Sequence, residues 1–229
     1  MERIRLASIR RSAVLGTAVM VVMATGAVPA SAATTTIRTG SVTADPYSGN
    51  VQASLLDTAT ITTSIGSGTC NQSTMTGSID SDGTGFDVIG AGFNRDGGDC
   101  TGFTSTTVTA QGLPWNGGSV AFDSGHTGNR DATVTIAQFN IKSVANLFGG
   151  ITCVFGGSIT ANGYNPDNPS RPDTANDQAQ IDVNGAPLNR QPGSNVLCPA
   201  TATITANYQL LGETTAGSGT FDQPLYIAD

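Results

Sequence analysis

The chain has 229 residues, and its first 32 read as an export leader, so the folding arithmetic belongs to residues 33–229, a stretch of 197. That stretch carries 6 basic and 16 acidic side chains, a net charge near −10, which excludes a protein that holds nucleic acid through phosphate contacts. It contains 30 Thr and 27 Gly but one Lys, Lys142, and one Glu, Glu213. Thr and Gly oppose helices, so a mainly helical fold is excluded and β structure is favoured.

In chain order, the leader comes first. Arg3, Arg5, Arg10 and Arg11 precede an uncharged run from Ser12 to Val28, and Pro29-Ala30-Ser31-Ala32 places small residues where a signal peptidase inspects the chain. This predicts cleavage after Ala32. Gly16, Thr17, Thr25 and Gly26 dilute the run below what a membrane span needs. Arg10-Arg11 also raises twin-arginine export, but Ser12-Ala13-Val14 lacks the bulky apolar residue that completes such a signal, so the general pathway is expected. No later stretch is long enough to span a bilayer, and the mature product is expected outside the cell with no membrane span.

Strand signals then recur at short intervals: 51–56, 59–65, 75–79, 86–93, 103–110, 119–122, 132–141, 151–164, 180–183, 200–210 and 219–227. Alternation is clearest in Ala132 to Ala137 and Ala202 to Ala206, where Val134, Ile136, Ala202, Ile204 and Ala206 share one face and the Thr hydroxyls the other. Turn signals sit at Asp82-Gly83, Asp96-Gly97, Gly117-Gly118 and Asn184-Gly185. The pattern predicts a single all-β domain over 33–229, an Ig-like or Greek-key β-sandwich tied by disulfides and carrying long Pro-rich loops.

The four cysteines, Cys70, Cys100, Cys153 and Cys198, allow three pairings, and in an oxidising compartment an even count reads as a disulfide framework. An internal pattern selects one of them. Ala59-Thr60-Ile61-Thr62 leads to Cys70, Gly77-Ser78-Ile79, Cys100 and a Thr-rich strand. Ala132-Thr133-Val134-Thr135 leads to Cys153, Gly157-Ser158-Ile159, Cys198 and a second such strand. If each half is one unit, Cys70 pairs with Cys100 and Cys153 with Cys198. Shared Thr-rich composition is the competing explanation of the pattern.

Two loops stand out. Asn165 to Gln178 reads NPDNPSRPDTANDQ, and Ala186 to Pro199 is a second Pro-bearing stretch. Long loops in compact domains carry function or cross between layers. The first is the expected partner-binding element, through Asn165, Pro166, Asp167, Pro169, Arg171, Pro172 and Asp173. Its prolines bias it toward extended backbone, Arg171 is suited to grip a carboxylate, and its low apolar content is expected to leave it loosely held. Trp115, the only tryptophan, reads as a core plug or, if exposed, as an interface anchor.

The catalytic inventory is thin. His126 is the only histidine, there is no Gly-x-Ser-x-Gly elbow, an Asp pair would have to serve a glycosidase because Glu213 is the sole mature Glu, and no phosphate-cradling loop precedes Lys142. Asp80-Ser81-Asp82-Gly83 and Asn94 to Asp99 space oxygen ligands as calcium loops do, yet lack the distal Glu, and tight turns favour the same residues. One His and no paired-cysteine spacing argue against zinc. Neither cofactor nor metal is expected. Asn71-Gln72-Ser73 is a glycosylation sequon by pattern.

Gly112-Leu113-Pro114-Trp115, the cysteine before Gly77-Ser78-Ile79, the second cysteine before the Thr-rich strand, and the later Cys153 and Cys198 together resemble the secreted bacterial PraB-like proteins. The resemblance covers roughly Ala59 to Leu211, and the chain departs from it in the Asn165 to Gln178 loop. It implies an exported, non-enzymatic β protein of cell surfaces or biofilm matrix, and supplies no catalytic residues. In size, export, disulfides and extended loops the chain is also similar to the small adaptor subunits of secreted umbrella-shaped antibacterial toxin particles. The expected function is therefore a secreted, non-enzymatic interaction module, an adaptor or structural subunit that binds another secreted protein. The alternative is a matrix protein that binds itself, and a small hydrolase using His126 is the third reading.

Overall fold

The computed structural model describes residues 34–102, 104–146 and 150–229. The expected leader, residues 1–32, lies outside them, as does Phe103, where one expected strand began.

After β1 (Thr36–Thr39) the chain winds through a meander. β2 (Gly49–Leu55) and β3 (Ala59–Thr63) form one broken stave, and β4 (Gly66–Cys70) and β5 (Gln72–Ile79) the next, because β3 pairs with β4 and β2 with β5. β6 (Phe86–Asn94) is the third. β7 (Thr106–Ala110) and β8 (Trp115–Phe122) are two pieces of the fourth, both lying between β6 and β9 (Ala132–Ala145). β10 (Ile151–Tyr164), β11 (Ala179–Arg190) and β12 (Thr201–Glu213) follow, each antiparallel to the one before. β12 then pairs back onto the first stave, with Tyr208 opposite Leu55, Gly212 opposite Val51 and Ile204 opposite Ile61. β13 (Phe221–Ala228) leaves the ring, pairing with the end of β12 and with β1.

The fold is thus all-β and disulfide-tied as expected, but it is a closed eight-stranded up-and-down barrel in place of the Ig-like or Greek-key sandwich. Period-2 alternation is the same in both architectures, and the closing β2–β12 ladder joins the two ends of the chain, where no local signal exists. Closure removes the exposed edges that a sandwich of Thr-rich strands would have to protect.

The expected inward residues Val134, Ile136, Ala202, Ile204 and Ala206 are all buried. The core is apolar side chains and many alanines, while the threonines of β9 and β12 face outward, the reverse of a membrane-spanning barrel, whose outer face is apolar. Among the described residues no helix is long and apolar enough to cross a membrane.

Bulges correct several sequence expectations. Gly117-Gly118 and Asn184-Gly185 are not turns: they lie inside β8 and β11, where the register shifts. A glycine with positive φ serves a bulge as well as a turn. At Gly77, also at a bulge, a Cβ would stand 1.9 Å from the Asp87 carbonyl oxygen, so only glycine lets β6 approach so closely. The second Pro-bearing loop is shorter than expected, because β11 runs to Arg190 and leaves residues 191–200. Pro187 falls where the β11 ladder with β10 is interrupted, a place that tolerates a missing N–H.

The two ends of the barrel differ. At one, β1 and β13 lie across the opening and Ile37, Leu225 and Ile227 pack over Ile79, Val134 and Ile181, leaving a void of about 10 Å³. At the other lie the 64–65 turn, the segments 95–102 and 191–200 and both disulfides.

Candidate functional site

The disulfides join Cys70 to Cys100 and Cys153 to Cys198, the pairing the two-half pattern selects. Their placement is equivalent. Cys70 is in the second stave and Cys153 in the sixth, which is the second stave of the later half, while Cys100 and Cys198 lie in the loops after the third and seventh staves. Each loop completes a ladder that its short preceding stave leaves open: Thr101 exchanges both backbone bonds with Thr69, and Gln191 and Asn195 donate to Val154 and Thr152. The disulfide staples the loop in place. The two Gly-Ser-Ile triplets likewise lie in the second stave of each half, next to a register shift.

The 165–178 loop, expected to be loosely held, is fixed to the closed end by polar bonds. Asn165 is 3% exposed, and its side chain takes both the N–H (2.7 Å) and the C=O (2.8 Å) of Ile227, as a neighbouring strand would. Its own N–H donates to the buried carboxylate of Asp131 at 2.7 Å, which also accepts from Asn168. The fully buried Gln180 clamps Asp173, accepting from its N–H and donating to its carbonyl. Arg171 folds inward and donates to the carbonyls of Asn168, Thr174 and Asn176 and to Asp177. These placements correct the premises of the sequence reading: Asn165 has no face left for a partner, and the Arg171 fork is committed to its own loop. What faces solvent is Asp167, Pro169, Pro172 and Asp177, with Pro166 and Asp173 partly covered.

Trp115 is 1% exposed, donates its Nε1–H to the Gln111 carbonyl at 2.8 Å and packs on Phe139 with ring centroids 4.8 Å apart. It is the core plug. Tyr208 is buried among the inner residues, its hydroxyl sharing a hydrogen bond with Ser73, and burial pushes its phenol up to about 12. His126 is exposed in a left-handed turn, its Nδ1 3.3 Å from Asp131, and Asp123 is bound to Arg130 and to backbone of the same turn. Asp82 accepts from the N–H and hydroxyl of Thr84, so its turn hydrogen bonds account for it. Among the described residues no group of three or more His, Cys, Asp or Glu is placed to hold a metal ion.

Glu213 is an isolated acid in the sequence. It is buried, and its carboxylate accepts from Gly217, Gly219 and Asn50, bonds that hold it below the usual carboxylate range, with the Gly217 bond the largest cause. It anchors the 214–220 hairpin. Beside it, Gly212 has no side chain because the Tyr47 ring lies over it: a Cβ would meet Tyr47 Cζ at 2.5 Å.

Sequence reasoning missed the mouth. Between the disulfides lies an apolar cavity of about 160 Å³, floored by Ala59, Ile141, Phe155 and Ile204 and walled by Ile61, Phe93 and Val108, with Cys70, Cys100 and Cys153 around it. The space exists because inward positions shrink toward the rim: Ile141, Ser143, Ala145 along β9, and Gly66 and Gly68 along β4. That taper is written in the sequence, but it reads as a mouth only once the barrel is closed. Comparison with protein-family models, with curated proteins and with solved structures returned no match.

Proposed function

We propose that the chain is an exported, non-enzymatic binding module, an adaptor or structural subunit of an extracellular protein assembly that docks through the outer face of the 165–178 loop. The observation that carries this reading is the inward network of Asn165, Arg171 and Gln180. It holds the loop in one shape while Asp167, Pro169, Pro172 and Asp177 face solvent. A loop ordered in advance loses little entropy on docking. Two disulfides suit an oxidising compartment, and Asp131, the carboxylate facing His126, is already bonded to Asn165 and Asn168, which favours a structural role for that pair. The likenesses to PraB-like proteins and to umbrella-particle adaptors point the same way.

Affinity purification of the secreted protein from culture supernatant tests the reading. A fixed-stoichiometry set of different proteins is expected, lost in a Pro169→Ser/Pro172→Ser/Asp167→Asn variant that still folds. Full capture by that variant would move the interface elsewhere. The matrix reading has its own support at the other end, where Ile65, Val196 and Leu197 are exposed near the mouth. It predicts concentration-dependent oligomers of this chain alone in sedimentation experiments.

A further inference from the structure

We infer that the mouth of the barrel is a binding site for the hydrocarbon end of a small, uncharged molecule. The inference is independent of the loop reading and concerns the opposite end of the barrel.

The size of the space sets the class of ligand. Two other voids among the described core residues are about 10 Å³ each, too small for more than one water, whereas the mouth offers about 160 Å³. A dry apolar cavity of about 150 Å³ accommodates a benzene-sized molecule. A single ring or a short alkyl chain therefore fits here, and a longer chain would leave across the rim near Ile65, Val196 and Leu197, which are 61, 89 and 65% exposed.

The chemistry of the lining sets the charge. The described residues that line the cavity are all uncharged, and its floor is Ile, Phe and Ala around the polarizable sulfur of the cystines. A carboxylate or ammonium moved into it would meet no counter-charge and would lose its hydration. The polar side chains in the lining are hydroxyls, those of Thr63, Ser67, Thr101, Thr106 and Ser143, which can receive one neutral hydroxyl or carbonyl at the ligand's outer end. The disulfides make the site durable: they hold the loops that wall it, so the cavity does not collapse to bury its own surface.

The test is a titration of the mature, oxidised protein with the straight-chain 1-alkanols from butanol to decanol, and with hexanoate against 1-hexanol, followed by calorimetry and by methyl NMR. Saturable one-to-one binding is expected, tightening roughly four-fold per added methylene until the cavity is full and then levelling. Hexanoate should bind at least ten-fold more weakly than 1-hexanol. The shifted methyl signals should be those of Ile61, Val108, Ile141 and Ile204. Ser143→Phe, which fills the space, should weaken 1-hexanol at least ten-fold. If that variant does not fold, Ala145→Leu narrows the same wall and should weaken it several-fold. The inference is overturned by an absence of saturable binding, by affinity that climbs without levelling while exposed methyls such as Ile89 and Val42 shift, or by unchanged affinity in a folded mouth variant.

Discussion

The two ends of this barrel hold their loops by opposite means. At the closed end the loops contain almost no apolar residue and are fixed by buried polar groups: Asp131, Asn165, Gln180 and Glu213 lie there, four of the five buried polar or charged residues among those described, with Ser73 the fifth. Each is satisfied by hydrogen bonds to backbone or side chains. At the mouth the loops are held by two disulfides and by backbone ladders, and the space between them is apolar. Buried polar bolts are directional and specify one loop shape, but they need a dry, fully bonded setting to be worth their desolvation. A disulfide asks nothing of its surroundings except geometry, so it can hold a loop while leaving a hollow beside it.

Removing the mouth's staples should have the largest effect. With sequence separations of 30 and 45 between the paired cysteines, each disulfide contributes about 3–4 kcal/mol on the loop-entropy model. Urea unfolding of Cys70→Ala/Cys100→Ala and of Cys153→Ala/Cys198→Ala should show losses of that order. Similar losses from the two variants would support the equivalence of the two halves. The bolts come next. Asn165→Ala strands the N–H and C=O of Ile227 and should cost on the order of 3 kcal/mol. Hydrogen exchange at Ile227 should accelerate while amides of β9 and β10 keep their protection; uniform acceleration would show that the closed end is not a separable unit. Arg171→Ala removes a fork that ties three carbonyls together and should cost about 1–2 kcal/mol, seen as protease sensitivity confined to 165–178.

A smaller effect is legible in pH. The Glu213 carboxylate is held below its ordinary value in the folded protein, so its contribution is fully present above the unfolded value, about 4.5, and is lost as pH falls through the lower folded value. Glu213→Gln should therefore reduce stability at pH 7 and flatten the acid limb of the stability curve. A variant whose acid limb matches that of the parent would assign that limb to other carboxylates. Least of all, His126→Ala should change stability by no more than about 0.5 kcal/mol and leave partner capture intact, since the ring is exposed and Asp131 keeps its bonds to Asn165 and Asn168. Capture or activity lost without unfolding would revive the catalytic reading.

Much of the fold was already local information. Each of the eleven expected strand segments overlaps a strand, with bounds that differ by a few residues, because short runs rich in β-branched and aromatic residues between turn signals favour strands wherever they fall. The inward faces of Ala132–Ala137 and Ala202–Ala206 and the cysteine pairing were legible for the same reason: period-2 alternation and the spacing of the two halves are properties of short stretches. Two strands were not. β4 reads Gly66-Ser67-Gly68-Thr69-Cys70 and has no propensity of its own; it is a strand because β3 pairs with it. β1 exists only against β13.

Tertiary structure decided the rest, and it did so wherever the deciding partner is far away in sequence. Closure depends on Val51 meeting Gly212, residues from opposite ends of the chain, and the alternation of the strands is the same with or without that ladder. Asn165 and Arg171 look like recognition residues in a polar, proline-bearing loop, and only the arrival of Ile227, Asp131 and the loop's own carbonyls turns them into bolts. The mouth is the clearest case. Ser143, Ala145, Gly66 and Gly68 are unremarked small residues until eight staves enclose them, because an empty volume belongs to no residue and exists only between those that surround it.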